Sequence, residues 1–265
     1  MKRREFLNCI GGAGLLALAP NLAAAVGSTP YQRLLILVEL KGGNDGLNTV
    51  VPYADPNYHA LRPRIGIKRE DVLPISGQLG FHPSLQALLP LWQAKELAVV
   101  QGVGYPDPNL SHFRSIEIWD TASKSDEYLQ QGWLARSFAR TPPPAAFAAD
   151  AVVVGSQDMG PLVGGRRVVA LSNPEQFSRL ARLAEGGGAM GGGPLAHIQR
   201  VEADIRQAAA KLATSGPAFA FTTEFPQGGF GATVRTACQV LGAGVEIAVL
   251  RLTLSGFDTH QNQPG

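Results

Sequence analysis

The sequence predicts an α/β protein built on a largely parallel sheet that is flanked by helices. Three observations lead to this fold class. Short apolar runs recur along the chain as candidate strands, segments with helical spacing lie between them, and 31 glycines among 265 residues indicate many turns. Strands that alternate with helices are typical of a parallel sheet, because each connection must return across the sheet. We therefore expect one α/β domain, residues 26–265, after a short N-terminal segment.

The N-terminal segment 1–25 has the features of an export signal. Arg3 and Arg4 are followed by Phe6 and a short apolar stretch, and a run of small residues predicts cleavage after Ala25. This arrangement resembles the twin-arginine signal of bacterial proteins that are exported already folded. The apolar stretch is too short to span a membrane as a stable helix. We expect the twin-arginine export machinery as a partner, a periplasmic or extracellular location, and no integral membrane segment.

The charge of the chain argues against one class of partner. The formal net charge is +2, and it arises from Lys2, Arg3, Arg4 and Glu5, so the chain from residue 26 onward is neutral. Nucleic-acid binding depends on basic patches that neutralise phosphates. We therefore expect no nucleic acid as a partner.

Five apolar runs are candidate strands. The first, RLLILVEL at 33–40, is almost continuously apolar, which is typical of a strand covered on both faces. Three more are ELAVVQGV at 96–103, DAVVVGS at 150–156 and RRVVAL at 166–171. The fifth run lies in VEIAVLRLTLSGFDTH at 245–260, and its strand is expected to end near Leu254.

Helices are expected between these runs. Apolar residues at 85–92 have helical spacing. Two further helices are predicted within 174–213, joined by a flexible glycine-rich linker at 186–193, and another is predicted around 229–242. These helices would supply the layers on either side of the sheet.

Polar side chains follow three of the predicted strands. The three clusters are Asn44 with Asp45, Ser111 with His112, and Asp258 with His260. In open α/β sheets, ligands bind beyond the carboxyl ends of the strands. If the strands are parallel, we expect the three clusters to converge at that edge.

Each cluster also has a purely structural interpretation. The GGNDG sequence around Asp45 is compatible with a tight turn, because Asn, Asp and Gly tolerate left-handed backbone conformations. Ser111 occupies a position where serine often caps a helix. The short spacing of Asp258 and His260 arises by chance in many proteins, so alone it is a weak metal signal.

Taken together, the clusters favour ester hydrolysis. The carboxylates of Asp45 and Asp258 and the imidazole of His260 are suitable ligands for zinc, manganese or a similar divalent ion. A serine at a helix N-terminus, such as Ser111, lies where backbone N–H groups stabilise a phosphate or sulfate. A metal ion lowers the pKa of such a hydroxyl and offsets charge in the transition state. We expect a small-molecule phosphate or sulfate ester as the substrate.

Three longer blocks resemble successive motifs of a bacterial family. They are LVELKGGNDGLNTVVPYADPNYHALRPRI, GFHPSLQALLPLWQAKELAVVQGVGYPDPNLSHFRS and GFDTHQNQ. In their order and spacing they are similar to the domain-of-unknown-function 1501 family, whose members typically carry twin-arginine signals. The resemblance implies a fold like that of the alkaline phosphatase and sulfatase superfamily, with a divalent-metal site and an activated hydroxyl or modified residue.

The resemblance also implies roles for individual positions. Asp45 resembles the metal ligand after the first strand, Ser111 resembles the nucleophile with His112 beside it, and Asp258 and His260 resemble a pair of ligands on a later strand. That pair is more closely spaced than is usual in the superfamily. Family members continue through an Asp-His-Gly motif that this chain lacks. The resemblance thus implies a chain interrupted at its C-terminus, with part of the sheet and part of the metal site missing.

A second class of function is compatible with the same residues. A non-catalytic exported scaffold or binding protein would keep the fold without a complete metal site, and it would bind an envelope protein. An inactive fragment is a third alternative. Bound metal and turnover of a model ester distinguish the hydrolase from the other two.

Overall fold

The computed structural model describes residues 33–171, 221–222, 224–242 and 246–259. Contacts divide the chain into a unit Met1–Leu34 and a unit Leu35–Gly265, and every described helix and strand belongs to the second unit. The predicted signal segment with Arg3, Arg4 and Ala25, the helices predicted within 174–213, the linker at 186–193 and the predicted ligand His260 lie outside the described residues.

The described residues form strands, α-helices and two short 3₁₀ helices. The strands are β1 (Leu35–Leu40), β2 (Val50–Val51), β3 (Leu73–Pro74), β4 (Gly80–Phe81), β5 (Ala149–Val154), β6 (Val168–Leu171) and β7 (Ile247–Leu254). The α-helices are α1 (Gly46–Thr49), α2 (Pro56–Leu61), α3 (Leu89–Gln93), α4 (His112–Thr121), α5 (Trp133–Arg140) and α6 (Gly229–Gly242), and the 3₁₀ helices are Pro83–Leu88 and Gly160–Leu162. Among the described helices, none is long and apolar enough to cross a membrane.

Four of these strands form a parallel sheet in the order β1-β7-β5-β6. The predicted α/β class with a largely parallel sheet is therefore confirmed. The strands predicted at 150–156 and 166–171, the strand ending near Leu254 and the helix around 229–242 are all present. Every residue of β5 is buried, because a central strand of a parallel sheet has helices or loops against both faces.

The two faces of the sheet carry separate apolar clusters. On one face, Ala237 of α6 lies in a buried cluster that includes Val152. On the other face, Leu134 of α5 lies in a cluster that includes Val153 and Leu162. Successive residues of a strand point to opposite faces, which is why Val152 and Val153 belong to different clusters. Full burial of each such Val or Leu stabilises the fold by about 1.5–3 kcal/mol.

The first strand, β1, lies at the edge of the sheet and is more exposed than its sequence predicted. Leu35, Ile36, Val38 and Leu40 all remain exposed to solvent. The expectation that this strand is covered on both faces is wrong, because the described helix α6 packs against β5 and β7 instead. An apolar run makes a strand suitable for burial, but the order of the strands in the sheet decides whether the strand is buried.

The prediction of a second strand at 96–103 is also wrong. Residues 96–103 form no strand, and Val100 and Val103 are 77% and 60% exposed. An apolar run becomes a strand only where a neighbouring strand offers backbone partners, and none of the described strands does so here. The helical spacing at 85–92 is confirmed, since the 3₁₀ helix at Pro83–Leu88 is followed directly by α3.

A small antiparallel sheet in the order β2-β4-β3 supports the segment that follows β1. Its buried cluster consists of Val51, Tyr53, Tyr58 and Val72. The hydroxyl of Tyr58 donates to the side-chain oxygen of Asn48 at 2.7 Å and accepts from the backbone N–H of Ile67 at 2.8 Å. These bonds fix α1 and the loop before it, which carries part of the predicted site.

Candidate functional site

The carboxyl ends of β1 and β7 lie side by side and bring two loops together. The N–H of Lys41 donates to the carbonyl oxygen of Leu254 at 2.9 Å, just past the last paired residues of the two strands. Gly42 follows with φ of 104°, a conformation that favours glycine. A Cβ at Gly42 would lie 3.1 Å from the backbone nitrogen of Asp258. The close approach of the loops therefore favours glycine, and it places Asp258 beside the turn that follows β1.

Asp45 is engaged in local structure. Its Oδ1 accepts hydrogen bonds from the backbone N–H groups of Leu47 at 3.2 Å and Asn48 at 3.3 Å, so it caps α1. Its Oδ2 lies 2.5 Å from Nη1 of Arg62. Both oxygens have protein partners, so the turn interpretation of GGNDG accounts for Asp45 without a ligand. The metal role of this residue stays a prediction.

Ser111 lies at the N-cap position of α4, which begins at His112. Its side chain makes no capping hydrogen bond, and its backbone N–H donates to Oδ1 of Asn109 at 2.9 Å. The residue is exposed. Helix capping therefore does not explain this serine, and its hydroxyl faces solvent at the start of a ten-residue helix.

His112 and Asp258 are brought together by the fold. Nε2 of His112 lies 3.8 Å from Oδ1 of Asp258. The two side chains are 57% and 43% exposed, so water screens the attraction between them. The contact joins the start of α4 to the loop after β7, and it unites two of the predicted site residues.

A cavity of about 1010 Å³ lies around this contact. Its polar lining residues include Asn44, Asp45, His82, His112, Asp258 and Thr259. Three of the predicted site residues, Asp45, His112 and Asp258, therefore face one space. Ser111 does not line this cavity.

The side chains around this cavity fit a divalent ion only in part. Among the residues that the structure describes, no three His, Cys, Asp or Glu side chains are grouped as they are around a metal ion. His112 and Asp258 are close enough to approach one ion together, whereas the Asp45 carboxylate would first have to release Arg62. A complete site would need ligands beyond these, such as the predicted His260.

A second group of ionisable side chains lies deeper at the same edge of the sheet. The guanidinium of Arg251 is completely buried, and it contacts the carboxylate of Glu39 and the carbonyl oxygen of Asp158. The ammonium of Lys41 pairs with the carboxylate of Asp158. Nη2 of Arg251 also lies 3.8 Å from Oδ2 of Asp158, so the two ion pairs are linked. A buried cation requires such partners, because its charge has lost the stabilisation of water.

Asp120 of α4 lies beside these four residues. We call the five side chains the charge cluster, which consists of Glu39, Lys41, Asp120, Asp158 and Arg251. Burial raises its pKa from 3.8 to about 6, helped by the negative charges of Glu39 and Asp158 and opposed by the positive charges of Arg251 and Lys41. No hydrogen bond reaches its carboxylate from the other described residues. Asp120 therefore holds a proton under mildly acidic conditions where an ordinary aspartate is ionised.

A cavity of about 860 Å³ opens beside the charge cluster. Glu39, Lys41 and Asp120 contribute its charged lining, and Trp119 and Trp133 contribute aromatic surface. His112 and Asn44 line this cavity as well as the cavity around Asp258, so the two spaces adjoin.

The charge cluster was not predicted from the sequence, although two of its residues carried a signal. Glu39 is the only charged residue in LILVEL, and Arg251 is the only one in IAVLRLTL. A single charge inside an apolar strand is costly to bury without a partner. Opposite charges in two such strands therefore predict pairing if the strands are neighbours, which the observed β1–β7 pairing provides.

Comparison with known proteins adds no relative. No protein-family model, no curated protein and no solved structure matches this chain. The two adjoining cavities and the residues that line them are the features of this chain that bear on its function.

Proposed function

We propose that this chain is an exported, hydrolase-like protein with an alkaline-phosphatase-like fold, which acts on phosphate or sulfate esters at the carboxyl edge of its sheet. The contact of 3.8 Å between His112 and Asp258 carries the proposal. These residues are far apart in the chain, and they meet at the edge where ligands of open α/β sheets bind. The family assignment to the domain-of-unknown-function 1501 proteins belongs to the same proposal and rests on the three sequence blocks.

His112 is the group best suited to move a proton in this site. A neutral imidazole accepts a proton from an attacking hydroxyl or water and returns it to the leaving oxygen. The carboxylate of Asp258 lies beside the ring and orients it. Ser111 is the proposed nucleophile, because its exposed hydroxyl lies where the backbone N–H groups of α4 attract an anionic ester.

A divalent ion such as zinc or manganese would be held by Asp258 and the predicted ligand His260, with Asp45 as a further ligand. The ion would supply charge stabilisation at the ester oxygen and a lower pKa for the attacking hydroxyl. The positioning of the imidazole by Asp258 does not require the ion.

Turnover of nitrophenyl phosphate and nitrophenyl sulfate by the purified full chain tests this proposal, with zinc and with manganese added. We expect His112→Ala and Ser111→Ala each to lower kcat/KM by about 100-fold or more, because acid–base and nucleophilic groups contribute rate factors of that order. His59→Ala is the matched control, since His59 lies in α2 and lines neither cavity. Unchanged turnover in the Ser111 and His112 variants would refute the proposed roles.

A non-catalytic scaffold or binding protein is the second candidate, and the state of Asp45 favours it. Both carboxylate oxygens of Asp45 are already satisfied by the α1 cap and by Arg62. This candidate predicts substoichiometric metal in the purified protein, no ester turnover, and an envelope protein recovered by cross-linking in the native host. Stoichiometric metal measured by mass spectrometry, together with turnover, would exclude it.

Export through the twin-arginine machinery completes the proposal. It predicts that the mature protein begins at Val26, in the periplasm or outside the cell. Replacement of both Arg3 and Arg4 by lysine should leave the full-length precursor in the cytoplasm, which cell fractionation and intact-mass measurement would detect. A precursor processed equally in both forms would contradict this route.

A further inference from the structure

One carboxylate of the charge cluster lacks a counter-charge. Glu39 is paired with Arg251, and Asp158 is paired with Lys41. The two positive charges of the cluster are thus balanced by two negative ones. Asp120 is the remaining acid, and no described side chain donates a hydrogen bond to it. When Asp120 is ionised, the cluster carries one excess negative charge.

Asp120 lines the cavity of about 860 Å³ together with Glu39 and Lys41 of the charge cluster. Much of the remaining lining is apolar, and it includes Ile116, Trp119 and Trp133. Its volume lies within the range of small-molecule sites, which are mostly apolar with a few placed polar groups. The faces of tryptophan rings also attract cations.

We propose that this cavity binds an organic monocation, namely an amine carried on an apolar or aromatic body, with its ammonium group at Asp120. The ammonium would supply the counter-charge that the cluster lacks, and the body would occupy the apolar surface around Trp119 and Trp133. An anionic ligand would meet the excess negative charge, and a neutral ligand would leave the carboxylate unpaired. The proposal goes beyond ester hydrolysis and does not depend on it.

Binding of such an amine should depend on pH. The charged groups that act on Asp120 are Glu39 and Lys41 at the end of β1, Arg251 on β7 and Asp158 after β5. His112, at the start of α4, lines the same cavity. An alkylamine keeps its positive charge throughout the range in which Asp120 titrates. Affinity should therefore fall as the pH is lowered and Asp120 takes up a proton.

Calorimetric titration of the full chain at about pH 7.5 with phenylethylamine, phenylethanol and phenylacetate tests the proposal. The three probes share an aromatic body and differ mainly in charge. We expect phenylethylamine to bind at least about tenfold more tightly than phenylethanol, because a charged hydrogen-bonded pair contributes more than a neutral contact. We expect phenylacetate to bind most weakly. This comparison needs no substitution, so it does not depend on the folding of a variant.

Asp120→Asn removes the charge with little change in shape, and Asp126→Asn removes an exposed aspartate that does not line the cavity. The Asp120 variant should lose the preference for the amine over the alcohol, and the Asp126 variant should keep it. Equal binding of amine and alcohol, a preference for phenylacetate, or no binding of the amine would each overturn the proposal. Retention of the amine preference in Asp120→Asn would also overturn it.

Discussion

Two groups of ionisable side chains lie at the same edge of the parallel sheet, and they are held in different ways. His112 and Asp258 are about half exposed and meet across 3.8 Å. The Arg251 guanidinium is completely buried between Glu39 and Asp158. An exposed pair exchanges its partners readily with a ligand, whereas a buried charge is fixed by the cost of leaving it unpaired. The first group is therefore suited to chemistry, and the second to folding and to setting the charge of a neighbouring cavity.

The largest effect that tests this contrast is expected for Arg251→Met. The substitution leaves Glu39 without its buried counter-charge, so we expect the free energy of unfolding to fall by about 3–5 kcal/mol. Urea denaturation at neutral pH measures the loss. Arg62→Met is the matched control, because it breaks the partly exposed pair with Asp45, and it should cost about 1 kcal/mol or less. Equal losses in the two variants would contradict the contrast.

The next effect is the pH dependence of stability that Asp120 contributes. Its pKa is raised from 3.8 to about 6 in the folded protein, so the folded state binds the proton more tightly than the unfolded state. The contribution of this group to stability is thus fully present below about pH 4, and it is lost as the pH rises through about 6. After allowance for solvent screening of a partly exposed group, the loss should be on the order of 1–2 kcal/mol.

Comparison with Asp120→Asn isolates this contribution from other titrating groups. The variant has no carboxyl to ionise, so its stability relative to the native chain should rise between about pH 4 and pH 7.5. Urea denaturation at the two pH values gives the difference. A relative stability that stays constant, or that falls with rising pH, would mean that the Asp120 carboxyl is not destabilised by its surroundings.

The central strands and several site residues were predictable because their signals are local. The consecutive apolar residues of β5 predict a buried strand wherever it lies in the sheet. The polar turns that carry Asp45 and Asp258 directly follow apolar runs, so their place at a sheet edge follows from the chain itself. Ser111 was expected at the N-terminus of a helix, and α4 begins at the next residue, His112.

Other features depend on partners that are distant in sequence. The exposure of β1 follows from its edge position, which strand order determines, and the run at 96–103 lacks a pairing strand among those described. The raised pKa of Asp120 depends on burial and then on Glu39 and Asp158, and all three arise only through the fold. Local pattern does not show which strands are neighbours, so the lone charges Glu39 and Arg251 predict a pair only once strand order is known, and the other members of the charge cluster follow from the structure alone.

A smaller effect on stability is expected when the exposed pair is removed. His112→Ala and Asp258→Asn should each change the free energy of unfolding by less than about 1 kcal/mol, because water already screens their attraction. Thermal and urea denaturation of both variants check this. A loss comparable to that of Arg251→Met would show that the pair supports the fold, and a drop in turnover would then no longer indicate a chemical role.

The smallest effect is expected for Ser111→Ala. Loss of a serine that caps a helix costs about 1 kcal/mol, but the Ser111 side chain makes no capping hydrogen bond to α4. We therefore expect its removal to change the free energy of unfolding by less than about 0.5 kcal/mol, as for an ordinary surface substitution. Asp55→Ala is the matched control, because the Asp55 side chain does cap α2, at 2.8 Å from the backbone nitrogen of Asn57. A larger loss for Ser111 than for Asp55 would restore the capping interpretation, and the case for a nucleophile at the start of α4 would lose its structural support.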